Sequence, residues 1–238
     1  MVESDSMKCP KCGSDWFWPI GGGRYYCQSC GHEEMRSEEE ILIACEFSGI
    51  VRDAFIDRGY QAYSCDLRPS ERPGPHIQGD VRDILKKGWA MMIACPPCTH
   101  LAVSGARYFK MKEREQEEAL DFVKALLNAP IRKIALENPI GIISTRIRKP
   151  DQIIQPWQFG ADASKATCLW LKNLPLLIST KIIPPRMVDG SRRWGNQTDS
   201  GQNKLAPNGR RADDRSRTYE GIARAMADQW VLNDKGEK

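Results

Sequence analysis

Cysteine supplies the first chemical signal. Cys9, Cys12, Cys27 and Cys30 form C-x2-C-x14-C-x2-C, written here as CPKC and CQSC. Two tight knuckles on a short loop can deliver four thiolates to one tetrahedral ion. A segment this small needs such a clip because it buries too little apolar surface alone. The spacing predicts a structural zinc ribbon over residues 1–36, with a redox pair or free thiols as the other readings. Gly21, Gly22 and Gly23 supply the turn between the knuckles. Trp16, Phe17, Trp18, Tyr25 and Tyr26 either cover a metal-stapled core or stack on bases. Residues 1–40 carry four basic and eight acidic side chains, which favours the covering role over contact with a polyanion.

A second signal is CPPCTH at 95–100. Cys95 and Cys98 repeat the C-x2-C spacing, but no matching pair lies nearby, and His100 has a simpler use in a loop hydrogen bond. A cysteine just past a buried strand is a thiolate nucleophile where its surroundings lower its pKa, and otherwise an inert loop thiol. The residues alone leave both readings of Cys98 open. The same holds for Glu137 in ENP (137–139), a proton-transferring acid or a turn residue. Asp66 is either an acceptor for ribose hydroxyls or a solvated turn acid, and Asp80 can add to an adenine pocket.

The elements that must position these groups alternate along the chain. A charged linker, residues 37–40, precedes ILIACEF (41–47), a run suited to a buried parallel strand, and a helix-compatible stretch runs on to Arg58. YQAYSCD (60–66), AMMIACPP (90–97) and KIALENP (133–139) read as further strands, each with polar residues at its end. Lys112 to Leu127 has one apolar side and predicts a helix. A βα alternation with polar groups after the strands predicts an α/β doubly wound sheet that binds ligands at those strand ends.

Taken in order, these elements resemble the cytosine-5 DNA methyltransferase family. EFSG (46–49) resembles its cofactor turn, DVRDI (80–84) its third motif, PPC (96–98) its nucleophile motif, and ENP its Glu-Asn-Val element. Ser104 and Gly105 resemble the small residues of the mobile loop after the nucleophile. The likeness covers residues 41–178. It implies a Rossmann-like S-adenosylmethionine-dependent methyltransferase domain, with Cys98 and Glu137 as the catalytic pair. Phe47, Gly49, Asp66 and Asp80 would contact S-adenosylmethionine, Asn138 would fix the turn at the substrate, and Arg215 or Arg217 would approach the cytosine carbonyl. The implied partner is DNA, with a free cytosine nucleotide such as dCMP as the alternative substrate. An inactive DNA-binding or interaction module is the non-enzyme reading.

Three departures bear on substrate. Thr99 replaces the family's glutamine, Pro139 replaces valine, and Val51-Arg52 stand where a glycine pair is expected. About 60 residues follow WLKNLPLL (170–177), little for a recognition region. Residues 178–218 lack periodicity and read as an Arg-rich loop, in which Arg192, Arg193, Arg210, Arg211, Arg215 and Arg217 can grip phosphates. SRTYEGIARAMADQW (216–230) predicts a closing helix that completes a domain over 41–232, with a tail at 233–238. In this helix Tyr219 and Trp230 read as packing groups. The chain has 238 residues, 41% hydrophobic content and a formal charge of +4, enough for one sizeable core. No run of 18 apolar residues and no signal-type start is present, so an intracellular, cytoplasmic protein without a membrane partner is expected.

Overall fold

The computed structural model describes residues 8–9, 11–14, 17–21, 24–35, 40–102, 113–205 and 211–230. Near the N-terminus β1 (Phe17–Gly21), β2 (Arg24–Cys27) and β3 (Glu33–Met35) form a small antiparallel sheet. The main sheet begins with β4 (Glu40–Ala44), followed by α1 (Ile50–Ile56), β5 (Gln61–Asp66), β6 (His76–Gln78) and β7 (Met91–Ala94). It continues through α2 (Glu113–Leu127), β8 (Lys133–Pro139), α3 (Ile143–Arg146), β9 (Gln152–Ile154) and β10 (Thr167–Lys172). A hairpin of β11 (Arg186–Val188) and β12 (Ser191–Arg193) comes next, then α4 (Arg211–Ser216) and α5 (Glu220–Gln229).

The main sheet has seven strands in the order β6-β5-β4-β7-β8-β10-β9. Pairings from β6 across to β8 are parallel, whereas β10 runs antiparallel to both of its neighbours. Its β4 residues alternate between two cores. Ile41 and Ile43 pack with Val51, Phe55, Met226 and Trp230, while Leu42 and Ala44 pack with Leu120, Val123 and Trp170 on the other face. Burial on both faces explains why β4, β7 and β8 read as continuous apolar runs. Buried indoles need a partner for their N–H. Trp170 donates to the Arg148 carbonyl at 2.8 Å and Trp230 to the Pro175 carbonyl at 2.9 Å.

This is the α/β Rossmann-like sheet that the methyltransferase resemblance implies. Strand order reverses between β4 and β7, and in open sheets the crevice outside the carboxyl ends at such a switch is the usual ligand position. The EFSG loop follows β4 and the CPPC loop follows β7. No helix among the described residues is long and apolar enough to cross a membrane.

The stretch from 178 to 205, aperiodic in sequence, contains the β11–β12 hairpin and a bridge between Gln197 and Asn203. Its strands are three residues long, too short to leave a period-2 pattern. Trp194 stacks on Trp157 with ring centroids 5.4 Å apart, and Asn196 and Ser164 exchange hydrogen bonds at 2.9 and 3.0 Å. Ser104, Gly105, Trp16, Gly22, Gly23 and Arg210 lie outside the described residues.

Candidate active site

After β4, Cys45 and Gly49 both take left-handed backbone conformations, φ 59° and 75°. These turns fold Glu46 back under α1, where its carboxylate accepts from Val51 N at 2.7 Å, Arg52 N at 3.3 Å and the Ser48 hydroxyl at 3.0 Å. A buried carboxylate thus satisfies amides that a helix start leaves open. Burial lifts the Glu46 pKa, opposed by these hydrogen bonds. Gly49 packs against the Arg52 guanidinium, and a Cβ there would meet Nη2 at 2.6 Å.

Phe47 and Asp66 come together through Arg68. The Arg68 guanidinium lies 3.5 Å from the Phe47 ring centre. Its Nε is 3.9 Å from the Asp66 carboxylate, and its backbone N–H donates to Asp66 Oδ1 at 2.9 Å. Asp80 begins one residue past Gly79, whose N–H donates to the Asp66 carbonyl at 2.9 Å. It caps the turn at Val81–Asp83 and pairs with Arg82, whose hydrogen bonds hold the Asp80 carboxyl below its ordinary range. Asp66 at the end of β5, Asp80 close by and the Phe47 ring after β4 are the acceptor and aromatic types that an adenine nucleoside takes. Here Arg68 covers Phe47 and Arg82 covers Asp80.

Across the crevice, the β7 loop turns at Cys98, whose carbonyl accepts from Leu101 N at 3.0 Å and Ala102 N at 2.9 Å. Cys98 reaches solvent, yet its surroundings desolvate the thiol. Burial and then the nearby Glu137 charge raise its pKa, while Lys165 and Arg215 pull it down. Glu137 is buried at the end of β8 and its pKa is raised by burial; the Lys165 charge and hydrogen bonds with Thr167 and Cys95 oppose this. Asn138 donates from Nδ2 to the Pro96 carbonyl at 2.8 Å, and its buried Oδ1 has no partner among the described residues.

Lys165 is the residue that sequence reasoning missed. Its Nζ donates to the Arg215 carbonyl at 2.7 Å, and its charge acts on both Glu137 and Cys98. Antiparallel register sets Leu169 opposite Glu137 and Thr167 opposite Pro139, so the chain entering β10 arrives beside the carboxyl end of β8. A lysine two residues before a strand carries no such message unless the strand direction is known. Cys95 is a second group at the site that its spacing does not explain. Its half-buried side chain meets Glu137 and Thr218, and desolvation followed by the Glu137 charge pushes its pKa well up.

The two candidate arginines separate. Arg215 is the one whose charge reaches Cys98. Arg217 holds Glu71 at 2.6 Å and Asp214 at 2.5 Å, with its guanidinium 5.8 Å from the Phe47 ring centre, on the Phe47 side of the site.

The four N-terminal cysteines form a separate centre. All four sulfur atoms lie within 4.8 Å of one another, with Cys9–Cys30 at 3.8 Å and Cys12–Cys27 at 3.6 Å. Zinc–thiolate bonds of about 2.3 Å give tetrahedron edges of about 3.8 Å, so the set can hold such an ion. The two knuckles repeat: Gly13 N donates to the Cys9 carbonyl and Gly31 N to the Cys27 carbonyl, both glycines left-handed. CPKCG and CQSCG therefore share one backbone device.

Fold and site together define a doubly wound α/β domain with a cysteine and a carboxyl at the carboxyl ends of neighbouring strands β7 and β8, preceded by a cluster of four cysteines that could hold a metal ion. No family model and no curated protein matches the chain. Among solved structures, it is similar to a DNA modification methyltransferase encoded within an E. coli prophage, at 13% identity and a TM-score of 0.39, covering 62% of this chain and 52% of that one. It is also similar to a mutant form of Spodoptera frugiperda DNMT2, at 14% identity and a TM-score of 0.38, covering 65% of this chain and 57% of that one. The chain thus spans little more than half the length of either neighbour, and the functional reading rests on its own residues.

Proposed function

We propose that the protein is a DNA cytosine-5 methyltransferase that uses Cys98 as nucleophile and Glu137 as acid. The observation that carries this reading is the pairing of a solvent-reaching thiol at the end of β7 with a buried carboxyl at the end of β8. Phe47, Asp66 and Asp80 form the cofactor edge, and Gly49 keeps the turn beneath it compact. S-adenosylmethionine, held there, supplies an electrophilic methyl group on a sulfonium.

Cytosine carbon 5 is a weak nucleophile while the ring stays aromatic. Addition of Cys98 Sγ to carbon 6, with a proton passing from Glu137 to ring nitrogen 3, breaks aromaticity and leaves an enamine at carbon 5. Carbon 5 then takes the methyl group and loses its proton to water. Return of the nitrogen-3 proton to Glu137 and cleavage of the sulfur–carbon-6 bond restore the ring.

Burial favours neutral Glu137, and a neutral Glu137 removes one of the two effects that raise Cys98, leaving desolvation. Lys165 and Arg215 then favour the thiolate. Asn138 holds the CPPC loop at Pro96.

The basic hairpin supports DNA as the proposed substrate. Arg192 is exposed on β12, and Arg186 on β11 pairs with Asp199. Asp162 and Ser164 fasten that hairpin to the loop just before Lys165, through Gly195 N at 2.7 Å and Asn196. A cytosine leaving a duplex must unstack, at about a few kcal/mol, and phosphate contacts beside the site help offset this. The four cysteines are proposed to hold structural zinc.

The test is methyl transfer from labelled S-adenosylmethionine to duplex DNA, single-stranded DNA and dCMP in parallel, with zinc and a reductant present. Label at cytosine carbon 5 of DNA is expected. Transfer to dCMP alone would replace DNA by the free nucleotide. Binding of DNA and cofactor without transfer to any substrate would leave a binding module.

A further inference from the structure

Arg52 stands where the family pattern has glycine, and it is fully buried at 0% exposure. A guanidinium withdrawn from water must have its charge and all its N–H groups answered. Here Nε donates to Asp53 Oδ1 at 2.9 Å, and Nη1 donates to the hydroxyls of Ser64 at 3.2 Å and Ser70 at 3.1 Å. Nη2 donates to the carbonyls of Arg72 at 3.3 Å and Pro73 at 2.9 Å, and pairs with Asp53 at 2.7 Å. One side chain on α1 therefore joins β5 to the segment at 67–75. Two glycines leave it room, since a Cβ on Gly49 would meet Nη2 at 2.6 Å and one on Gly74 would meet Cζ at 2.9 Å.

That segment lies against Phe47 and follows directly on Asp66. It carries Arg68 over Phe47 and returns a backbone hydrogen bond from Glu71 N to the Phe47 carbonyl at 2.8 Å. Glu71 also receives both Arg217 contacts, at 2.6 and 2.9 Å. Removing the Arg52 fork frees two carbonyls and two hydroxyls of β5 and this segment at once. A lysine ammonium, with three donors, cannot span the same acceptors.

We propose that Arg52 is a positioning residue for the S-adenosylmethionine site, fixing the 67–75 segment against α1 so that Phe47 and Asp66 keep their relative places. The assignment rests on the cofactor reading above. It acts on cofactor binding and not on the Cys98–Glu137 pair, which hangs from other strands.

The test compares Arg52→Lys, Arg52→Ala and Ser70→Ala full-length proteins with the unmodified one, by amide hydrogen exchange over 67–75, S-adenosylmethionine binding by calorimetry, and steady-state kinetics. Arg52→Lys is expected to speed exchange at Glu71 and to raise the cofactor Kd by about tenfold or more, with kcat at saturating cofactor within about twofold. Ser70→Ala leaves the α1 sequence intact and removes an Arg52 acceptor together with the Ser70 bonds to Arg72 N and its carbonyl, so shifts in the same two readouts are expected even if both Arg52 variants fail to fold. Unchanged exchange over 67–75 in a folded Arg52→Lys or in Ser70→Ala overturns the assignment, as does faster exchange with an unchanged Kd. Failure of the unmodified protein to bind S-adenosylmethionine overturns the cofactor reading and the cofactor role of Arg52 with it, and the exchange data tell the two failures apart.

Discussion

Asn138 Nδ2 donates to the Pro96 carbonyl oxygen at 2.8 Å, so the end of β8 directly holds the loop after β7. The bond is buried, and Pro96 and Pro97 stiffen the loop it fastens. Cys98 is two residues from the held carbonyl. The Asn138 amide is thus one direct tie between the end of β8, which carries Glu137, and the loop that carries Cys98.

Asn138→Ala should loosen that tie. Leaving a buried carbonyl without its donor is expected to lower stability by about 1–3 kcal/mol. Turnover is expected to fall by about 10²-fold, because a shift of about 1 Å in a reacting group has that effect. Cofactor affinity should stay near that of the unmodified protein, since Asn138 lies away from Phe47 and Asp66. Denaturant melts, steady-state kinetics and cofactor binding measured on one preparation check all three.

Glu137→Gln separates catalysis from stability. The isosteric amide cannot pass a proton, and loss of a general acid is expected to reduce kcat by about 10²–10⁴-fold. Burial raises the folded-state pKa of Glu137 above its ordinary value of 4.5. The folded state therefore binds the proton more tightly than the unfolded state, and stability falls as pH rises from 4.5 toward the raised value. The amide does not titrate and escapes that loss. The variant should melt at or above the unmodified protein at pH 8, with the gap closing toward pH 4. A clearly less stable variant at pH 8 would mean that the carboxylate is stabilised by its neighbours and not penalised by burial.

Much of this was legible in the sequence, for reasons that differ by element. β4, β7 and β8 announced themselves because strands buried on both faces must be apolar throughout, and the CPPC and ENP groups fall at their ends. The knuckles were legible because two C-x2-C pairs on a short loop can bring four thiolates together. Lys165 was not legible, because its place depends on β10 running antiparallel to β8, a fact of tertiary pairing. Arg52 looked like a lost glycine, since no local pattern says that five acceptors from β5, the 67–75 segment and Asp53 converge on it.

Lys165→Met keeps the length of the side chain and removes its charge. Lys165 opposes the raised pKa of both Glu137 and Cys98, so both should rise further without it. For the reaction the two shifts act differently: the acid stays protonated over a wider range, while the thiolate becomes scarcer. The low-pH limb of the kcat/KM profile, which reports formation of the Cys98 thiolate, should move to higher pH, with activity at pH 7 down by about tenfold or more. Arginine in its place should recover most of the lost rate. A pH profile identical to that of the unmodified protein would remove Lys165 from the site.

Zinc should leave the N-terminal cluster without abolishing the main fold. The two centres use different cysteines, and Cys98 lies in a loop of the large sheet while Cys9, Cys12, Cys27 and Cys30 cluster by themselves. Cys98→Ala is therefore expected to end methyl transfer with about one zinc per chain retained. Cys27→Ser, which removes a buried ligand, should lose the zinc, because three thiolates hold the ion far less tightly than four and the small sheet has little core to replace it. Metal analysis, paired with the melting of the main domain, reads both variants. Loss of zinc in Cys98→Ala, or full zinc in Cys27→Ser, would show that the ligand set is drawn wrongly.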